Sequence, residues 1–328
     1  VPDRAQAGLT AAVRALVTGA AGFLGANLVR HLHAAGHEVI ALTRSAAAWR
    51  LQGIATEVRV LELDLRDTAA IERVVATIEP QWIFHLAAHG AYSWQSDIEA
   101  MIAVNVAATA ALLQAARGAG VQAFVNAGSS SEYGLKAHAP REDEWLEPNS
   151  HYAVTKAAGS HLTALAAAEG LPAVTLRLYS IYGPWEEPGR LVPALVREAT
   201  RGSLPPLVGP ETARDFVYVE DCCEALLQAA ERGAPGGPGA ILNIGSGTQT
   251  RLDELVDVAR RALDVSMCPE WDTMGQRNWD TNVWVSDPRA ALELLDWKAT
   301  SSLSDGLLRT AAWLRERPQL WERYGVTS

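Results

Sequence analysis

Tyr152 and Lys156 stand four residues apart, a spacing that puts both on one face of a helix. A free tyrosine, with a pKa of about 10, is a poor base at neutral pH, but a nearby ammonium stabilises the phenolate and brings it toward working range. Lys156 also suits hydrogen bonding to the ribose of a nicotinamide cofactor. Ser129, at the end of an apolar run upstream, offers a hydroxyl to hold a substrate oxygen and share the charge of a developing alkoxide. Together the three make a proton-transfer set for redox chemistry on an alcohol or ketone.

Such chemistry needs a hydride carrier, and Leu16-Val-Thr-Gly19-Ala-Ala-Gly22-Phe23-Leu24-Gly25 supplies a place for one. An apolar strand, Arg14 to Thr18, must turn sharply into a helix over about Phe23 to Ala35. Glycines permit the turn and let a pyrophosphate approach the helix N-terminus, where unpaired N–H groups and the helix dipole favour an anion. The helix-period run Leu24, Leu28, Val29, Leu32 follows directly.

The elements that position these groups read as strand and helix in alternation. Strand-like runs begin at Glu38, Val58, Trp82, Ala123 and Ala173, separated by Ala/Leu-rich helical stretches. This predicts an α/β fold with a doubly wound parallel sheet, Rossmann-like, over residues 1–180. After Tyr182 glycine and proline break the rhythm, and 233–239 reads as a surface loop. Residues 181–328 are therefore expected to form a smaller substrate lobe. Within it, 214–250 should return to the first domain through a strand at Ala240-Ile-Leu-Asn-Ile-Gly, interleaving the two. The helices Asn105 to Arg117 and Tyr152 to Glu169 have small-residue faces that suit either the sheet or a homodimer contact.

Composition excludes several classes. Net charge is −10 with no basic run, which argues against nucleic acid and anionic membrane surfaces as partners. No apolar run is read as long enough to span a bilayer, and residues 1–12 lack an apolar signal core. The three cysteines show neither disulfide nor metal-ligand spacing, so no metal and a cytoplasmic location are expected. His85 and His89 flank the expected cofactor site, and both are read as structural.

Read in order, Thr18 to Gly25, Leu63-Asp64-Leu65, His85-Leu-Ala87-Ala88, Val104-Asn105-Val, Gly128-Ser129-Ser130-Ser131-Glu132-Tyr133-Gly134, Tyr152 to Lys156, Leu176 to Pro184 and Arg214 to Asp221 resemble the extended short-chain dehydrogenase/reductases. Within these the resemblance is to the NAD(P)-dependent nucleotide-sugar epimerase/dehydratase branch. It implies that Asp64 and Leu65 flank the adenine, that Ala87 and Ala88 line the cofactor channel, and that Asn105 supports the loop around it. It also makes Arg214 a diphosphate ligand, with Arg277 and Arg190 completing a clamp on a nucleotide-diphosphate sugar. Tyr92 and Trp94 would pack on the sugar, with Ser130 and Ser180 nearby.

Departures from the family pattern narrow the reaction. Dehydratases carry an acidic residue where Ser131 stands, and Glu132, one residue later on a strand-like segment, faces the other way, which disfavours dehydration. Ser180 stands where many relatives have Asn. At the end of the second strand, NAD-preferring relatives place Asp or Glu, whereas this chain has Arg44 between Thr43 and Ser45, able to accept a 2′-phosphate. The expected cofactor is therefore NADP, with NAD as the alternative. The expected reaction is reduction of an NDP-4-keto-6-deoxyhexose at C4, with an NAD-dependent NDP-sugar 4-epimerase as the alternative. Two further readings are a reductase of apolar ketones and a non-catalytic dinucleotide sensor.

Overall fold

The computed structural model describes residues 12–45, 48–233, 240–275 and 280–326. Its first strands, β1 (Arg14–Thr18), β2 (Glu38–Thr43), β3 (Arg59–Glu62), β4 (Trp82–His85), β5 (Ala123–Ser129) and β6 (Ala173–Leu178), alternate with α1 (Phe23–Ala34), α2 (Thr68–Ile78), α3 (Ile98–Ile102), α4 (Ala108–Gly118) and α5 (His151–Ala168). The apolar runs of β1, β2, β4, β5 and β6 are buried almost throughout, as strands covered by helices on both faces must be.

Beyond β6 come β7 (Ser180–Tyr182), α6 (Leu191–Ala199), β8 (Ala213–Arg214), β9 (Phe216–Tyr218), α7 (Val219–Glu231), β10 (Ile241–Ile244), β11 (Thr250–Arg251) and α8 (Leu252–Leu263). The main sheet is seven-stranded and parallel, in the order β10-β6-β5-β4-β1-β2-β3. Its strand order reverses between β1 and β4, and the crevice at the carboxyl ends there is where open α/β sheets bind ligands. β7 pairs with β9 and β8 with β11 in two small sheets that sit with α6 and α8. The packing of Tyr182, Leu195, Tyr218, Leu255 and Leu307 gives this smaller region its own core.

Two local features set the position of the chemistry. Ser150 caps α5 by accepting from the Ala153 N–H at 3.1 Å, which places Tyr152 in the first turn, at the sheet's carboxyl edge. Gly159 lets the same helix approach Ala103–Ala107 closely, since a Cβ there would stand 3.0 Å from the Asn105 carbonyl.

The helix expected from Asn105 begins earlier. Ile98–Gly118 is continuous through the π-helical turn Ala103–Ala107 and, at 21 residues, is long and apolar enough to cross a membrane by length and composition. That corrects the expectation that no run reaches such a length. Its apolarity comes from alanines and leucines that pack on the sheet side, among them Ala108, Leu112 and Ala116, and α4 lies against α2 and α5.

Candidate active site

A cavity of about 1000 Å³ runs from the glycine turn to the small sheets. Gly19, Gly22, Phe23, Leu24 and Gly25 form its floor, and Asp64, Leu65, Ala87 and Ala88 line one flank. Gly19 has φ +67°, and a Cβ there would stand 2.6 Å from the Ala87 nitrogen; a Cβ on Gly25 would overlap the Gly19 carbonyl. The turn therefore tolerates no side chain at either place. α1 begins at Gly22 with neither a side-chain cap nor an acidic residue in its first turn, which leaves its N-terminal N–H groups to an anion such as a pyrophosphate. The residues present fit a dinucleotide.

At the same carboxyl edge of the sheet, two strands across from β1, β5 delivers Ser129, and α5 delivers Tyr152 and Lys156 to the same wall. The Ser129 hydroxyl stands near enough to the Tyr152 phenol to favour its ionised form, and it lies 2.8 Å from the Ser131 hydroxyl. The expected lowering of the Tyr152 pKa is not what the protein alone produces. Burial pushes the phenol up to about 12 and Ser129 only partly offsets it. Lys156, 6% exposed, donates to the Ala127 carbonyl at 2.5 Å, and burial brings its ammonium down to about 8 against the opposing pull of Glu132. A desolvated pair of this kind needs a further positive charge to make the phenolate a working base. An oxidised nicotinamide ring, when bound, supplies that charge together with the hydride acceptor.

Glu132 is fully buried, accepting from the Ser129 N–H at 2.7 Å and from Arg177 Nε at 2.9 Å. Its carboxylate is turned into the protein, away from the cavity. Asn105 lies just outside the cavity lining, bonded to both the N–H and C=O of His89 at 2.8 Å and to Thr155, so it fixes the loop after β4. His85 is held between Thr18 and Thr109, and burial lowers its pKa to about 3, which fits a neutral structural residue.

The substrate residues inferred from sequence are scattered more unevenly. Tyr92, Ser130, Ser180, Arg190 and Arg214 all line the cavity. Trp94 does not: it stacks on Tyr92 at 4.7 Å and is 63% exposed. Arg214 is held by Asp280 at 3.1 Å and sits beside Trp284, while buried Asp215, next in sequence, gathers the N–H groups of Ser246, Gly247 and Ser286 and so anchors its strand. Arg277 lies outside the described residues.

Glu186 was missed. It lines the cavity from the segment after β7, 5% exposed, with Arg190 at 3.6 Å and its Oε2 without a hydrogen-bond partner. In sequence it reads as one of two acidic residues in a turn; its burial depends on the distant Tyr324, whose hydroxyl donates to its carbonyl at 2.6 Å. Burial pushes its carboxyl up to about 7, against the attraction of Arg190. The folded state thus holds a proton that the unfolded state has released, so this stability is full below about pH 4.5 and is lost as pH rises through 7. Glu186→Gln will therefore stabilise the protein at pH 8 by up to about 3 kcal/mol and have little effect at pH 4.5, as read by urea unfolding at the two pH values.

Residues 15–245 match the NAD dependent epimerase/dehydratase family. A UDP-glucose 4-epimerase from Mycolicibacterium smegmatis is 33% identical over 319 residues, covering 94% of this chain and all of its own. A dTDP-glucose 4,6-dehydratase from Escherichia coli is 28% identical, over 95% of this chain and 96% of its own. Among solved structures, MoeE5 in complex with UDP-glucose and NAD superposes with a TM-score of 0.81 at 31% identity, covering 92% of this chain and 99% of that one. NAD is likewise bound in solved relatives from Bacillus cereus, Bordetella bronchiseptica and Thermus thermophilus.

These structures overturn the expectation of NADP. The physical reason lies beside Arg44. That residue is exposed and its charge acts on Asp64, whose carboxyl is held down to about 2 by hydrogen bonds from the Arg66 side chain and backbone, with Arg44 adding to them. Both Arg44 and Asp64 line the cavity, so the arginine taken to attract a 2′-phosphate shares its surroundings with a carboxylate that opposes one.

Proposed function

This chain belongs to the NAD-dependent epimerase/dehydratase family, an enzyme family whose members act on nucleotide sugars, and from that premise we propose that it is an NAD-dependent 4-epimerase of a nucleoside-diphosphate hexose. The observation that carries the reading is the pairing of Ser129 with Tyr152 at the cavity wall while Glu132 is drawn off into its pair with Arg177. Among the described residues the carboxylates lining the cavity are Asp64, Glu186 and Asp280, none of them in the Ser129 segment. A proton-transfer group for one hydroxyl is thus present, without a neighbouring acid to expel a second. That supports epimerisation over dehydration.

In this reading Tyr152 takes the C4 hydroxyl proton as C4 gives up its hydride, and returns the proton as hydride comes back to the opposite face of the 4-keto sugar. Ser129 holds the C4 oxygen throughout, and no net oxidation occurs. The 4-ketoreductase reading rested on NADP, and it loses its support with that cofactor. Arg214, with Arg190 as its candidate companion, would hold the diphosphate.

The test is incubation of the purified protein with UDP-, dTDP-, CDP- and GDP-glucose without added cofactor, followed by chromatography. Conversion of one of them to the C4 epimer is the expected result. A 4-keto-6-deoxy product would replace the reading with dehydration, and turnover of a 4-keto sugar only with added reduced cofactor would replace it with ketoreduction. Arg214→Ala will weaken binding of the preferred nucleoside diphosphate by about 1.5–3 kcal/mol, roughly 10- to 150-fold, and leave NAD binding unchanged, as calorimetry will show.

A further inference from the structure

Glu186 takes no part in the proton transfer, yet it sits in the cavity wall as a carboxyl that the protein serves incompletely. It is 5% exposed, its Oε1 stands 3.6 Å from Arg190 Nε, longer than a hydrogen bond, and its Oε2 has no hydrogen-bond partner. A carboxylate offers about four acceptor positions, and burying it with these unfilled is costly. Such a group persists in a binding cavity where a ligand supplies the missing donor.

Its neighbours fix it in place. Trp185 before it packs on Trp313 with ring centroids 5.0 Å apart, Glu187 after it pairs with Arg50 at 2.8 Å, and its own carbonyl accepts from the Tyr324 hydroxyl at 2.6 Å. The carboxyl is therefore positioned before any ligand arrives. The charge of Arg190 acts on both the Tyr152 and the Tyr92 phenols, and that of Glu186 acts on Tyr92. All four residues line the cavity, so the Glu186–Arg190 pair belongs to its reacting end.

We propose that Glu186 selects the sugar: it accepts from a hydroxyl beside C4 of a neutral hexose, keeps Arg190 neutralised, and so turns away a hexuronate. The inference rests on the 4-epimerase reading and names the class of hexose it takes. A hexuronate carries a C6 carboxylate, which Glu186 repels and for which Arg190, already engaged by Glu186, is no open counter-ion. A site built to receive a hydroxyl also loses more than a contact when the wrong sugar enters, because its buried acceptor stays unpaired.

The experiment measures kcat/KM, and Kd by calorimetry, for UDP-glucose and UDP-glucuronate at pH 8, or for the same two sugars on the base that the enzyme prefers. Wild type, Glu186→Gln and the double variant Glu186→Gln/Arg190→Leu are compared. Wild type is expected to favour glucose by at least about tenfold. In Glu186→Gln that ratio should move toward glucuronate by at least about tenfold, because the repulsion is gone and Arg190 is released to pair with the C6 carboxylate. In the double variant the gain for glucuronate should disappear. Loss of any Arg190 contact with the diphosphate weakens both sugars alike and cancels in the ratio. A role confined to holding the chain would weaken both sugars in parallel, so an unchanged ratio in Glu186→Gln overturns the proposal, as does a wild type that prefers glucuronate. A wild type that binds the glucose form without epimerising it overturns the 4-epimerase reading, while the ratio of Kd values still decides the role of Glu186; one that binds neither sugar overturns both.

Discussion

Tyr152→Phe will lower turnover of the epimerised sugar by at least about two orders of magnitude while leaving NAD affinity nearly unchanged. In the proposed reaction the phenol moves the C4 hydroxyl proton, and the substitution removes one oxygen and almost no contact area. The remaining ring keeps its place in the first turn of α5 because Ser150, not Tyr152, caps that helix. Steady-state kinetics with the preferred nucleotide sugar, beside NAD titration, measures both quantities. Turnover within tenfold of wild type would remove Tyr152 from the chemistry. A fall in kcat with an equal fall in NAD affinity would give the residue a binding role instead.

The second large effect is on stability. Glu132 and Arg177 form an ion pair at 2.9 Å with side chains 0% and 2% exposed, and Arg177 also lies 4.5 Å over the Tyr133 ring. Removing one partner leaves a charge in the interior with no counter-charge, and Glu132→Ala is expected to cost about 3–5 kcal/mol. Replacing both partners with methionine should recover most of that loss, since the desolvation of two charges is then avoided. Urea unfolding of the single and double variants gives the comparison. A single variant within about 1 kcal/mol of wild type would mean that the pair is not sealed from water. The same loss reaches the active site, because Glu132 helps keep Lys156 charged, so a folded Glu132→Ala protein should need higher acidity to hold that ammonium.

What the sequence disclosed was governed by locality. The glycine turn is legible because its spacing and the flanking strand and helix lie within one stretch of chain, and the steric demand falls on residues that only glycine satisfies. Ser129, Tyr152 and Lys156 are legible because each residue type has a distinct chemistry and the spacing of the last two fixes a shared helical face. Residues whose meaning depends on a distant partner were not. Arg44 read as a phosphate ligand because nothing along the chain brings the charge of Asp64 within its reach; that follows only from the pairing of β2 with β3. Arg214 reads by resemblance as a diphosphate ligand, but nothing along the chain announces that Asp280, 66 residues on, is bonded to it. Trp94 read as a sugar platform because the loop's path after β4 is not encoded in its aromatic content. Desolvation is likewise a property of the assembled interior, which is why Tyr152 and Lys156 shift in directions opposite to those that would activate the phenol.

The position of β10 in the sheet has a consequence for the chain as it is made. β10 pairs with β6 at a sequence separation of 66, Leu178 to Ile244, and completes the edge of a sheet whose other six strands are all synthesised before it. A ribosome adding about 5–20 residues per second leaves that apolar edge unpaired for roughly 3–13 s. During that interval β6 presents free backbone N–H and C=O groups, the template on which strands of neighbouring chains pair. Expression yield should therefore respond to temperature and to chaperones that mask strand edges, and variants that delay docking of 241–244 should be recovered as aggregate rather than as inactive soluble protein.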